Sequence, residues 1–168
     1  MNAKALECLG DLLEEDAHLV ICDEESSLIE LIAAKDGDEL IDVFPLPMGV
    51  LGAAMEVAEK MTLSPTWLDN TTAGRLQVEQ FPEEIWNETS EALYGEKLKV
   101  TFLGRPGQKY FHFYRAVREE GKGDLGELKR LELTPPELAQ VTKWIRVEGL
   151  FDRRSGEVIM EILGELSS

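Results

Sequence analysis

A chain of 168 residues, 43% hydrophobic and 30% charged, is long enough to bury a core without disulfides or structural metal, and its composition excludes wholesale disorder and the collagen-like or low-complexity classes. Its 33 acids against 17 bases give a formal net charge of −16, a poor match to nucleic-acid backbones or anionic membrane surfaces, so neither is an expected partner. Cys8 and Cys22 have neither CxxC spacing nor a clustered histidine pair, which points to reduced, buried thiols and a cytoplasmic setting. No basic stretch followed by an apolar one opens the chain, and no apolar run approaches the length of a membrane span.

Leu6, Leu9, Leu12 and Leu13 recur at helical spacing and predict an amphipathic helix ending near Asp16. The β-branched run from His18 to Cys22 reads as a buried strand that Asp23 to Ser27 ends, with Asp23 or Ser26 as a candidate cap for a helix after it. Leu28 to Ala34 fits a short helix or one arm of a hairpin turning at Lys35-Asp36-Gly37-Asp38, and helix is favoured. Glu39 to Phe44 reads as a strand closed by Pro45 and Pro47, with a helix from Met48 to Met61 after it. Ser64-Pro65 predicts a capped helical turn running to Asn70. Lys97 to Leu103 alternates as a half-exposed strand, and four helices come after it: Gln108 to Glu119, Leu125 to Leu131, Pro135 to Val147 capped by Thr134, and Gly156 to Leu166.

These elements define an α+β chain: residues 1–104 form a small mixed sheet flanked by helices, and residues 105–168 a helical C-terminal portion packed on it in one continuous domain. Charge divides unevenly. Residues 1–60 hold 15 acids and 3 bases, whereas Lys97 to Arg130 holds nine bases against four acids.

Four stretches carry a resemblance: Ile41-Asp42-Val43-Phe44, the segment from Ala58 to Asn70, Tyr114-Arg115-Ala116-Val117-Arg118, and the segment from Asp124 to Leu138 continuing to Trp144. In their order they resemble a bacterial nucleotidyltransferase-like family of unknown function, related to abortive-infection and toxin-antitoxin nucleotidyltransferases. The resemblance implies a nucleotidyltransferase-like sheet in which a glycine pair faces a nucleoside triphosphate and an Asp-x-Asp pair on the next strand holds divalent cations. Phosphoryl transfer needs such cations to neutralise the triphosphate and align the attacking oxygen, and alternate residues of a strand share a face.

The chain departs from that pattern. Asp42 matches the second aspartate, Leu40 stands where the first belongs, Cys22-Asp23-Glu24-Glu25-Ser26-Ser27 replaces the glycine pair, and His112 falls where the family carries a lysine. Asp42 is thus the one matched catalytic and metal carboxylate. Asp38 is the candidate second ligand, with Mg as cofactor if activity survives; the competing reading makes Asp38 a turn residue and Asp42 a strand residue facing solvent.

Arg105 and Lys109, in the loop Gly104-Arg105-Pro106-Gly107-Gln108-Lys109 ahead of a helix, are the candidate phosphate contacts of a bound nucleotide, against an ordinary strand-to-helix turn lacking the P-loop pattern. Tyr110, Phe111, Phe113 and Tyr114 fit a helix core better than an RNA-stacking face, and Arg115, Arg118 and Lys122 fit exposed ion pairs with the acidic half. His18 and His112 read as satisfied core or boundary histidines, and Cys22 has no base partner visible in the sequence.

The favoured function is a degenerate nucleotidyltransferase-fold protein, catalytically impaired, that binds a nucleotide or a protein in a toxin or phage-defence setting. The alternatives are an acidic protein-interaction module, antitoxin-like or regulatory, and an active Mg-dependent transfer of nucleotidyl groups to RNA or protein. A protein partner or a homodimer is expected under the first two.

Overall fold

The computed structural model describes residues 2–23, 29–118, 122–148 and 153–167. Among them run α1 (Asn2–Leu12), β1 (Ala17–Ile21), β2 (Ile29–Asp36), β3 (Glu39–Ile41), α2 (Met48–Met61), β4 (Leu68–Asp69), β5 (Ser90–Tyr94), β6 (Leu98–Phe102), α3 (Arg105–Val117), α4 (Lys122–Leu131), α5 (Pro135–Val147) and α6 (Arg153–Ser167). Two short 3-10 turns, Val78–Gln80 and Glu83–Trp86, precede β5. None of the described helices is long and apolar enough to cross a membrane.

The strands form one mixed sheet in the order β3-β2-β1-β6-β5, with β4 also pairing β2. β1 runs parallel to β6 and antiparallel to β2, and β4 joins β2 in parallel with Glu30 opposite Asp69. Apolar side chains on the two faces of the sheet build two cores. Leu19, Ile21, Leu31, Leu98 and Val100 pack against Leu6 and Leu9 of α1 and Val50 and Val57 of α2. Val20, Cys22, Ile32 and Leu103 pack against Tyr110, Phe111, Phe113 and Tyr114 of α3, Leu128 of α4, Val141 and Ile145 of α5 and Ile159 of α6. The four aromatic residues of α3 are therefore core.

Three expectations change. Leu28 to Ala34, favoured as helix, is the strand β2 from Ile29, and it hairpins into β3 across the predicted turn, where Gly37 takes φ 63°. Every residue from Ile29 to Ala34 is buried because both faces are covered, so the segment shows no alternation to read. The stretch 63–70 closes a single turn: Ser64 Oγ accepts from the Thr66 amide at 3.2 Å and the Ser64 carbonyl from the Trp67 amide at 3.0 Å, but no helix runs on to Asn70, because Leu68–Asp69 pairs as β4. The strand expected over Glu39 to Phe44 ends at Ile41, so Asp42 lies beyond its pairing. Glu24 to Leu28, including the candidate cap Ser26, and Glu119 lie outside the described residues.

Candidate functional site

The described residues hold one buried cluster of polar and charged side chains, on the face of the sheet that α3 and α4 cover. Cys22 extends β1 by one residue, and its amide donates to the Glu30 carbonyl at 3.0 Å, so the two stand opposite each other. Cys22 belongs with Val20, and Glu30 alternates with Ile32, which places both side chains on the face that α3 covers. His112 and Arg115, three residues apart, share one side of α3 and meet them there, and Asp124 reaches in from the first turn of α4. All five side chains are buried.

Arg115 donates from Nη1 to Glu30 Oε1 and from Nε to Asp124 Oδ2 at 3.2 Å. His112 Nδ1 lies 2.9 Å from Asp124 Oδ1, and His112 Nε2 lies 3.8 Å from Cys22 Sγ. Glu30 Oε2 is buried and accepts no hydrogen bond among the described residues. At the rim, Arg130 donates to Asp23 at 3.0 Å and to Glu127 at 2.7 Å.

Burial pushes the Glu30 carboxyl up to about 7, with Asp124 and Asp69 adding to the rise and Arg115 and His112 opposing it. Near neutral pH it is thus part protonated, as befits two buried carboxylates sharing one guanidinium. Burial, then the charges of Glu30, Asp23 and Asp124, hold the Cys22 thiol well above its ordinary value against the pull of Arg115. Cys22, His112 and Asp124 therefore repeat the order nucleophile, base, orienting acid without its chemistry: the thiol stays protonated at neutral pH and is 1% exposed.

The residues singled out in the sequence lie elsewhere. Asp42 is exposed, and its Oδ1 accepts the Phe44 amide at 3.0 Å, closing its own loop. Asp38 is exposed in the β2–β3 turn. No third acidic, histidine or cysteine donor converges with this pair among the described residues. Arg105 ties two helices together, donating to the Leu131 carbonyl, to the Glu132 carbonyl at 3.3 Å and to Glu137 at 2.8 Å. Lys109 is buried, donates to Gln140 at 3.0 Å and lies 3.8 Å from Glu84. At Gly104 an added Cβ would stand 2.2 Å from the Glu88 carbonyl oxygen, so close chain packing accounts for this glycine.

Arg115 does pair with the acidic half of the chain, but in a buried setting rather than an exposed one. Cys22 does meet a histidine, 90 residues away, which only the sheet brings into reach. The spacing of His112 and Arg115 on the aromatic side of α3 was the one local sign that charge is buried there.

A second feature lies on the opposite side of the sheet. A cleft of about 820 Å³ opens between the end of α1, the start of β1 and the first turns of α2. Glu14, Glu15, Asp16, Asp36 and Glu56 rim it beside Lys35, and its apolar wall includes Leu12, Ile41 and the 83% exposed Met48.

Comparison of the chain with protein-family models, curated proteins and solved structures finds no match.

Proposed function

We propose that this chain is a binding protein on a nucleotidyltransferase-like scaffold whose cation-holding positions have lost that role. The observation that carries the reading is Asp42, whose Oδ1 accepts the Phe44 amide at 3.0 Å within its own loop, next but one to Leu40 where the first aspartate belongs. A divalent cation in phosphoryl transfer neutralises carboxylates while keeping coordination positions for the triphosphate. Leu40 offers such an ion no oxygen, and Asp42 is occupied in closing its own loop. Arg105 and Lys109, each committed to side chains of α5, support the same conclusion.

The cleft at the α1–β1–α2 corner supports a protein ligand. Five carboxylates around an apolar wall suit a basic segment bearing one or two apolar side chains, which matches the acidic interaction module of the second reading. In a toxin-antitoxin or phage-defence setting such a surface holds a basic partner.

Isothermal titration of the full chain with Mg and each nucleoside triphosphate tests the loss of chemistry. No saturable heat is expected; saturable, Mg-dependent binding lost in Asp42→Asn would overturn the reading.

A further inference from the structure

We infer that Cys22, His112 and Glu30 form a site for a thiophilic divalent metal ion of the zinc class, with Asp124 and Arg115 orienting the ligands from behind. The inference goes beyond the binding function above and does not depend on it, because it uses only the donor atoms that the guanidinium leaves over.

Arg115 occupies one oxygen of Glu30 and one of Asp124, and the other Asp124 oxygen faces His112 Nδ1 at 2.9 Å. A carboxylate at that nitrogen holds the proton on Nδ1 and leaves the Nε2 lone pair free, the arrangement in which metal-bound histidines are found. Nε2 looks toward Cys22 Sγ at 3.8 Å. Sulfur at about 2.3 Å and nitrogen at about 2.0 Å from a tetrahedral zinc lie about 3.5 Å apart, so a shift of a few tenths of an ångström brings both into the coordination shell.

Glu30 Oε2 is the independent sign. It is a buried carboxylate oxygen with no hydrogen-bond donor among the described residues, and folded proteins seldom leave such an acceptor unsatisfied, because it has given up water and gained nothing in exchange. It belongs to the residue directly across from Cys22, on the same face of the hairpin. Donor atoms of Glu30, His112 and Asp124 lie within 4.8 Å of one another; that group of three does not include Cys22, whose Sγ meets it at His112 Nε2, 3.8 Å away.

Thiolate, imidazole and carboxylate together select a borderline-soft ion such as Zn over the hard Mg that nucleotidyl transfer requires. Charge supports the same choice. On binding, the Cys22 thiol gives its proton to solvent, and two carboxylates, one thiolate, one guanidinium and one dication then sum to a neutral buried set. Three protein ligands leave a fourth position for water or an incoming donor.

The test is cobalt substitution in the full chain. Protein unfolded under reducing conditions is refolded with Co(II) and freed of excess ion, first with Cys8→Ser in place so that Cys22 is the sole thiol. The expected result is one equivalent of cobalt per chain, with a thiolate-to-cobalt charge-transfer band and the intense visible bands of a tetrahedral site. Cys22→Ser abolishes the charge-transfer band, and Glu30→Gln lowers cobalt affinity by about tenfold or more while circular dichroism reports an intact fold. Should Cys22→Ser fail to refold, zinc protection answers in its place: zinc at a fixed concentration raises the melting temperature of the Cys8→Ser chain by more than that of the same chain carrying Glu30→Gln. Substoichiometric cobalt, a spectrum without thiolate charge transfer, or equal zinc protection of both chains would overturn the inference and leave the cluster a purely structural ion pair.

Discussion

Glu30 and Arg115, 85 residues apart in the chain, meet as a buried ion pair that fastens β2 to α3, and Asp124 extends the contact to α4. Removing the cation from such an arrangement leaves two carboxylates buried and uncompensated, a far larger penalty than losing an exposed pair. Arg115→Met, which keeps the bulk of the stem, is expected to lower the free energy of unfolding by about 3–5 kcal/mol. Glu30→Gln replaces a carboxyl that is part protonated near neutral pH and keeps an acceptor for Arg115, so its loss is expected to be at most half as large. Denaturant titration of the metal-free chain, monitored by circular dichroism, measures both. An Arg115→Met chain as stable as the parent would show that the guanidinium is not the counter-charge of this site.

How much of this was legible in the sequence depends on how local each signal is. The helix Met48–Met61 and the capped helix Pro135–Val147 stand where their residues predict them, because caps, prolines and a one-sided apolar stripe act within a few turns. The strand β2 was not legible, since a segment buried on both faces carries no period. β5 escaped as a short strand exposed over most of its length, with Tyr94 alone buried and Leu93 71% exposed. The polar cluster was hidden for a different reason. Its members come from β1, β2, α3 and α4, and the basic stretch from Lys97 to Arg130 reads as a solvated face until the register of the sheet sets Glu30 against it. Ile41-Asp42-Val43-Phe44 predicts a strand through Asp42, yet the strand stops one residue before it.

The junction of α4 and α5 gives a pH-dependent test. Burial alone would raise the Glu137 carboxyl, but the Arg105 hydrogen bond, the Thr134 amide and hydroxyl and the charge of Arg105 outweigh it and hold the group down at about 2. A folded value below the unfolded one means that the unfolded chain binds the proton first. The stabilisation is therefore complete above about pH 4.5 and is lost as the pH falls toward about 2. Arg105 and Glu137 are both partly exposed, so screening keeps the effect to about 1 kcal/mol. Acid unfolding of Glu137→Gln compared with the parent should show the gap between them closing across that window, and a gap that stays constant would remove Glu137 as its source.

Thr134 caps the same helix from the other side, accepting from the Glu137 amide at 3.4 Å while its own amide donates to the Glu137 carboxylate at 3.0 Å. Thr134→Ala loses one half of this reciprocal box and should cost about 1 kcal/mol. Because Arg105 also holds Glu137, the double variant Thr134→Ala/Arg105→Lys is expected to lose less than the two single losses added together, the signature of groups that share a partner. Strict additivity in thermal melts would mean that the box and the arginine act separately.

Trp144 closes the core between the sheet and α5. Its ring stacks on Phe81 at 5.6 Å, meets Tyr110 edge-on at 5.1 Å and donates from Nε1 to the Gln80 carbonyl at 2.8 Å. These contacts separate two contributions that truncation to alanine would merge. Trp144→Phe keeps an aromatic face for Phe81 but leaves the Gln80 carbonyl without its donor, so about 1–3 kcal/mol should be lost. Trp144→Ala also removes most of the buried ring surface, and its loss should reach about 3–5 kcal/mol. Equal losses in the two variants, measured by denaturant unfolding, would place the whole contribution in the indole hydrogen bond and none in the packing of the ring.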